Sequence, residues 1–237
     1  MQKKIFLFAT VIGFLAACVS CSFPFKIKGN GNLVTSEKNV SAFSKVNVSR
    51  SAEVRFHESQ EYRVVVTIDE NLDEYVEIVT RNNVLNIGFK SGAFSITKYS
   101  VDIYCPLLTG VSVSGSGRFR SVDKITSSTF ETYVSGSGKI EGTIECENFT
   151  AKISGSGGIT VIGNCKDAEI VISGSGRFNG DEFNINNATV RISGSGSATI
   201  YVSDNLKATI SGSGRVNYRG EPKIESNISG SGRIRKR

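Results

Sequence analysis

The stretch Ala151-Lys152-Ile153-Ser154-Gly155-Ser156-Gly157-Gly158-Ile159 decides the reading of this chain, because versions of it recur throughout the second half. The tetrapeptide Ser-Gly-Ser-Gly begins at Ser114, Ser135, Ser154, Ser173, Ser193, Ser211 and Ser229, at spacings of 21, 19, 19, 20, 18 and 18 residues. Seven copies at a nearly fixed period mark a repeat architecture in which each copy is one supersecondary unit.

The flanks of the motif alternate. Val113, Val134, Ile153, Ile172, Ile192, Ile210 and Ile228 precede it directly, and mostly polar residues (Ser112, Tyr133, Lys152, Val171, Arg191, Thr209, Asn227) stand one position earlier. On its far side, Phe119, Ile140, Ile159, Phe178, Ala198, Val216 and Ile234 are apolar in every copy. A period of two is that of a strand with one buried face. Each repeat therefore reads as a strand, a glycine corner, a second strand and a looser polar turn such as 145–148 or 164–167. The corner needs backbone with positive φ, which glycine adopts without penalty, and stacked corners need close backbone approach.

An antiparallel meander would turn every 8 to 12 residues with similar chemistry at both ends. Here the glycine corner returns only at every second strand and the apolar columns keep phase with it. The expectation is an all-β chain: a parallel β-helix of about 18–21 residues per coil, with equivalent residues stacked ~4.8 Å apart. Residues 109–237 form its regular coils. Residues 39–108 read as irregular capping coils, since terminal repeats of solenoids are atypical. Within them Val46-Asn47-Val48-Ser49-Arg50-Ser51-Ala52 repeats the corner pattern with Arg50 and Ala52 in the glycine places, and Asn82-Asn83 is a hairpin turn.

The N-terminus reads as a targeting segment. Lys3 and Lys4 precede an apolar run, Ile5 to Leu15, too short to span a bilayer. It ends in Leu15-Ala16-Ala17-Cys18, similar to a bacterial lipobox, which makes 1–17 the signal peptide and Cys18 the lipid-attachment residue. Cys21 is the weaker candidate, with a cysteine three positions before it. Residues 18–38, with Gly29-Asn30-Gly31, read as the tether. Loss of Lys3 and Lys4 with the signal lowers the net charge from +6 to +4, far from the dense charge of a nucleic-acid binder.

The repeated corners, the Ala42–Val48 entry segment and Cys105-Pro106-Leu107 before the first corner together resemble the head-GIN domain family over residues 39–237. Its members are described as "putative auto-transporter adhesins" and are common among lipoproteins of Bacteroidetes-type bacteria. The resemblance implies a pectin-lyase-like β-helix and a role in adhesion. It supplies no catalytic residues.

The residues themselves offer little catalytic chemistry. The acids Asp123, Glu141, Glu145, Glu147, Asp167, Glu169, Asp181, Glu182 and Asp204 fall in different repeat phases and form no column. The single histidine, His57, reads as a surface or packing residue in a capping strand, which leaves metal sites and triads little to build on. No cofactor is expected. Cys146 and Cys165 each lie seven residues before an inward isoleucine and should stack as neighbouring buried thiols, a disulfide being the lesser alternative; Cys105 reads as a lone core residue.

One electrostatic pattern stands out. The positions directly after the corners are Arg118, Lys139, Gly158, Arg177, Ser197, Arg215 and Arg233. Stacked coils would turn the five cations into a ridge. The plainer account is a charged edge that keeps rods apart; the functional account is a surface for anionic glycans, lipid phosphates or related polymers. The chain thus reads as a non-catalytic envelope lipoprotein anchored to the outer membrane, an adhesin or a module binding glycan or another envelope protein. A periplasmic structural or signalling role is the alternative, and a polysaccharide-active enzyme comes third. The absence of acids in Val19-Ser20-Cys21-Ser22 weighs against surface export. Nothing in the sequence argues for an oligomer.

Overall fold

The computed structural model describes residues 26–237, and the expected signal peptide, Cys18 and Cys21 lie outside them. The described chain is a parallel β-solenoid closed at one end by an irregular cap. In chain order the cap contains β1 (Lys26–Lys28), β2 (Leu33–Lys38), β3 (Lys45–Arg50), β4 (Glu53–Glu58), β5 (Arg63–Asp69), β6 (Val76–Arg81), β7 (Val84–Phe89), β8 (Ala93–Ser95) and β9 (Tyr99–Cys105). The regular part follows with β10 (Gly110–Gly115), β11 (Arg118–Ser121), β12 (Ile125–Gly136), β13 (Lys139–Gly155), β14 (Gly158–Gly174), β15 (Arg177–Gly194), β16 (Ser197–Gly212), β17 (Arg215–Arg219), β18 (Lys223–Gly230) and β19 (Arg233–Lys236).

Corner pairs with corner through every coil. Gly115, Gly136, Gly155, Gly174, Gly194, Gly212 and Gly230 are in parallel register, and so are the residues before and after them. The two glycines of a corner serve different ends. Gly155 has φ 115°, where a side chain is strained. A Cβ on Gly157 would lie 2.5 Å from the Gly138 carbonyl oxygen and 2.5 Å from Val134 Cγ1 of the coil below. Only hydrogen atoms fit there. Ser156 and Gly158 donate their backbone N–H groups to Gly136 and Gly138 at 2.9 and 3.0 Å, so the ladder runs through the corner.

The inward columns form one core. Val113, Val134, Ile153, Ile172, Ile192 and Ile210 stack on one side of the corner, and Phe119, Ile140, Ile159, Phe178, Ala198 and Val216 on the other. Thr132 sits among them with its hydroxyl donating to the Thr150 carbonyl at 3.0 Å, so that buried hydroxyl is satisfied. The columns do not stay buried to the last coil: Ile224 and Ile228 of β18 are 44% and 41% exposed, because no further coil covers them among the described residues.

The cap obeys the corner pattern and departs from chain order. β3 and β4 make a coil whose corner uses Arg50 at φ 63° opposite Gly115, as the sequence led us to expect. β7 and β9 make a further coil outside it, pairing with β3 and β4. The chain lays down the second coil first, runs out to the end, and returns past it into β10. Antiparallel strands close the end: β6 on β7 through the Asn82-Asn83 turn, whose φ values are 49° and 64°, and β5 on β9 with β2 beyond it. A short 3-10 helix, Glu70–Tyr75, crosses the opening with Leu72 buried.

Of the tether expected from the sequence over residues 18–38, residues 18–25 lie outside the described residues. β1 pairs with β8 and β2 with β5, so residues 26–38 belong to the cap. Their backbone is held by Asp69, fully buried, which accepts N–H bonds from Gly31 at 3.0 Å and Thr97 at 2.8 Å.

Candidate functional site

The strand after each corner carries Phe119, Ile140 and their equivalents inward, so the preceding residues must face solvent. The register accordingly places Arg118, Lys139, Gly158, Arg177, Ser197, Arg215 and Arg233 in a single outward column. Six steps of ~4.8 Å carry it over about 29 Å. Toward the cap it continues into Glu53, which approaches Arg118 at 3.7 Å. Lys139, Arg177, Arg215 and Arg233 have no carboxylate partner among the described residues.

The wall before the corner treats its charges differently. There Lys45 pairs with Glu131 at 2.6 Å, Lys207 with Glu225 at 2.7 Å, and Arg191 with Glu169. Three cations of that face are matched and Lys152 is not, whereas four of the five cations in the column after the corner are unmatched. Like charges opposed in adjacent strands, such as Arg118 over Lys139 and Arg215 over Arg233, cost stability.

Gly158 interrupts the ridge. Its φ is not in the left-handed region, and an added Cβ would meet only the Arg177 carbonyl oxygen at 3.6 Å, an ordinary contact. The fold does not require glycine at that position. Its missing side chain leaves a notch of about 200 Å³ between Lys139 and Arg177, bordered by Glu141, Thr160, Ser156 and Ser175.

The acids do not converge. Glu141, Glu145, Asp167 and Glu169 lie opposite Thr160, Asn164, Asn187 and Thr189. Among the described residues no three His, Cys, Asp or Glu side chains gather as a metal site would need. His57 lies outward on β4, its Nε2 3.0 Å from Asp102 Oδ1, its ring stacked on Tyr104 at 4.8 Å. Arg55 grips the same carboxylate through Nε at 2.8 Å and Nη2 at 2.6 Å. Burial pushes the Asp102 carboxyl up, but the bonds from Arg55 and His57 outweigh it and hold it below the usual carboxylate range. This is a tie between β4 and β9, with its oxygens already occupied.

Cys146 and Cys165 do face each other in register, as free thiols. Cys165 is buried, whereas Cys146 is half-buried and not the core residue the spacing implied. The hydrogen bond between the two thiols and the burial of Cys165 raise its pKa, and the same bond lowers that of Cys146. Cys105 is a core residue whose thiol burial pushes up to about 12.

Residues 42–222 match the family model described as "Putative auto-transporter adhesin, head GIN domain". The chain belongs to this family. Solved structures share its fold over most of the chain. A "putative lipid binding protein" from Parabacteroides distasonis is 27% identical, with TM-score 0.78, covering 90% of this chain and all of that one. A "putative adhesin" from Parabacteroides merdae is 25% identical, with TM-score 0.74, covering 90% and 99% of the two chains. One from Bacteroides fragilis, at 20% identity, shares the fold with TM-score 0.85 over 89% of this chain and all of its own. No curated protein matches the chain. A head-GIN solenoid presents long, flat outer walls, and the unmatched cations occupy one edge of one wall.

Proposed function

We propose that this head-GIN protein is a non-catalytic, cell-envelope adhesin that binds an anionic glycan along its basic ridge and is held to the outer membrane by acylation of Cys18. One observation carries the reading: Lys139, Arg177, Arg215 and Arg233 stand in register on one edge without carboxylate partners, while Lys45, Arg191 and Lys207 of the neighbouring wall are paired. Repulsion along such a column is relieved when a linear polyanion lies over it. A multiply acylated cysteine supplies a durable anchor at ~0.8 kcal/mol per buried methylene.

Binding is tested on an array of acidic and neutral glycans, with the double substitution Arg177→Glu/Arg215→Glu. The ridge reading expects acidic glycans to bind, binding to weaken as salt rises, and the charge reversal to remove it. Equal binding by the variant rejects it. Adsorption to anionic phospholipid vesicles with no glycan bound would instead favour the lipid-phosphate reading, to which the name of the 27%-identical relative lends support. The anchor is tested by fatty-acid labelling in cells, which Cys18→Ser should abolish. Protease treatment of intact cells tells surface from periplasm, and a protected protein would return the reading to a periplasmic structural role.

A further inference from the structure

On the other side of the glycine corner, the wall before it contains a second depression. In register there, β10 lies between β3 and β12. The outward positions of β3 are Lys45 and Asn47, and those of β12 are Glu131 and Tyr133; between them β10 offers only Gly110 and Ser112. A strand without bulk between two strands that have it is a trough, about two strand spacings (~9.6 Å) across. Its volume is about 450 Å³, within the range of small-ligand pockets. A Cβ on Gly110 would lie 3.3 Å from the Glu131 carbonyl oxygen and 3.5 Å from Lys45 Cγ and Cδ, so the Lys45 chain closes the Gly110 end and the trough is open over Ser112.

The chemistry of the lining is specific. Tyr133 is 42% exposed and is the aromatic side chain of the lining. Its ring offers an apolar surface at small entropic cost. Lys45 and Glu131 neutralise each other across Gly110 at 2.6 Å, which leaves Lys152 as the unpaired charge of the lining. Hydrogen-bonding groups stand at the floor: the Ser112 hydroxyl and the Asn47 side chain, whose amide nitrogen already donates to Asn86 Oδ1 at 3.1 Å and whose oxygen can accept, while Thr150 lines the far side of β12. A ligand with one flat apolar face, a rim of hydroxyls and no net charge fits these groups. A polyanion does not, since the unpaired Lys152 stands on β13 beyond Tyr133 and the trough between β3 and β12 holds only the mutually neutralised Lys45 and Glu131. The two walls therefore call for different ligands.

We infer that the trough over β10, from Asn47 to Tyr133, is a binding site for one ring of a neutral sugar, distinct from the basic ridge. The pyranose lies along β10 against Tyr133, with its hydroxyls bonded to Asn47 and Ser112.

The test uses the purified protein on the neutral members of the glycan array, followed by titration of the best neutral oligosaccharide with amide NMR. The wild type should show shifts confined to β3, β10 and β12. Tyr133→Ala should weaken binding at least tenfold by removing the platform. Ser112→Gln should do the same by filling the trough, and both side chains point away from the core, so near-native melting temperatures serve as the folding control. Arg177→Glu/Arg215→Glu should bind the neutral sugar unchanged. Unaltered affinity in Tyr133→Ala and Ser112→Gln would overturn the inference, as would an array with no neutral glycan bound, while either result leaves the acidic-glycan reading of the ridge standing.

Discussion

Asp69 shows how much a single buried charge can organise. Burial raises its carboxyl pKa, but N–H donors from Thr97, Gly31 and Lys98 outweigh that and hold it below the usual range. The fit is tight: a Cβ on Gly29 would lie 2.4 Å from the carboxylate. A carboxyl whose folded pKa is below its unfolded value of ~3.9 contributes its full stability above that value and loses it as pH falls through the folded one. Asp102 acts in the same direction. Unfolding measured from pH 7 down to pH 2 should therefore show a flat stability until roughly pH 4 and a fall below it. Asp69→Asn turns an amide N–H toward backbone donors and should cost about 1.5–3 kcal/mol at pH 7. At pH 2.5 the gap to wild type should shrink, since the unfolded chain's carboxyl is then protonated ahead of the folded one; a constant gap would show that the charge is not what holds residues 26–38. Asp69 was not legible in the sequence, because its partners lie 38 and 28 residues away and no local pattern links them.

At the scale of the element, the corner was legible in almost every detail, including its degenerate copy at Arg50 and Ala52. A repeat states its own register, so the pairing of Gly136 with Gly155 followed from spacing alone. What spacing could not separate is which glycines are obligatory. Gly157 and Gly158 are adjacent and look alike in sequence, yet a Cβ on the first would meet backbone and Val134 at 2.5 Å and on the second would meet nothing closer than 3.6 Å. Gly157→Ala should overpack the stacked corners and lose about 1–3 kcal/mol. Gly158→Ala should fall between neutral and about 1 kcal/mol more stable, through restriction of the unfolded chain. Chemical unfolding of the two variants side by side decides the matter, and equal losses would mean that the corners are not packed as described. The ridge was equally legible, since it is the same register read one residue further on. The trough was not: it arises because Gly110 and Ser112 are smaller than Glu131 and Tyr133, and a difference in bulk becomes a cavity only when strands are known to be neighbours.

The whole molecule is asymmetric in a way its repeats conceal. The cap end is closed by antiparallel strands, the 3-10 helix and a cluster of Phe89, Phe94, Tyr75 and Tyr99, and its order was illegible because the chain lays down its second coil before its first. At the other end, β18 is exposed along its whole length, with Ile224 and Ile228 uncovered above Leu206 and Ile210. Bare strand edges over an apolar cross-section invite pairing with another chain, and inward-pointing charge is one defence. The register supplies it: Ile200, Tyr218 and Lys236 occupy one inward column, so that a lysine takes the place of a core residue in the last coil and forms an ion pair with Glu221. A charge facing the core position of the last coil must lose its water if a second solenoid stacks there, and Glu221 alone offers it little shelter. Lys236→Ile removes that cost and continues the apolar column to the edge. The variant should self-associate at concentrations where the wild type does not, seen as a rise in mass by light scattering, whereas Lys236→Gln, still polar, should not. A Lys236→Ile variant of unchanged mass would show that the exposed backbone edges of β18 and β19, rather than the inward lysine, decide whether two rods meet.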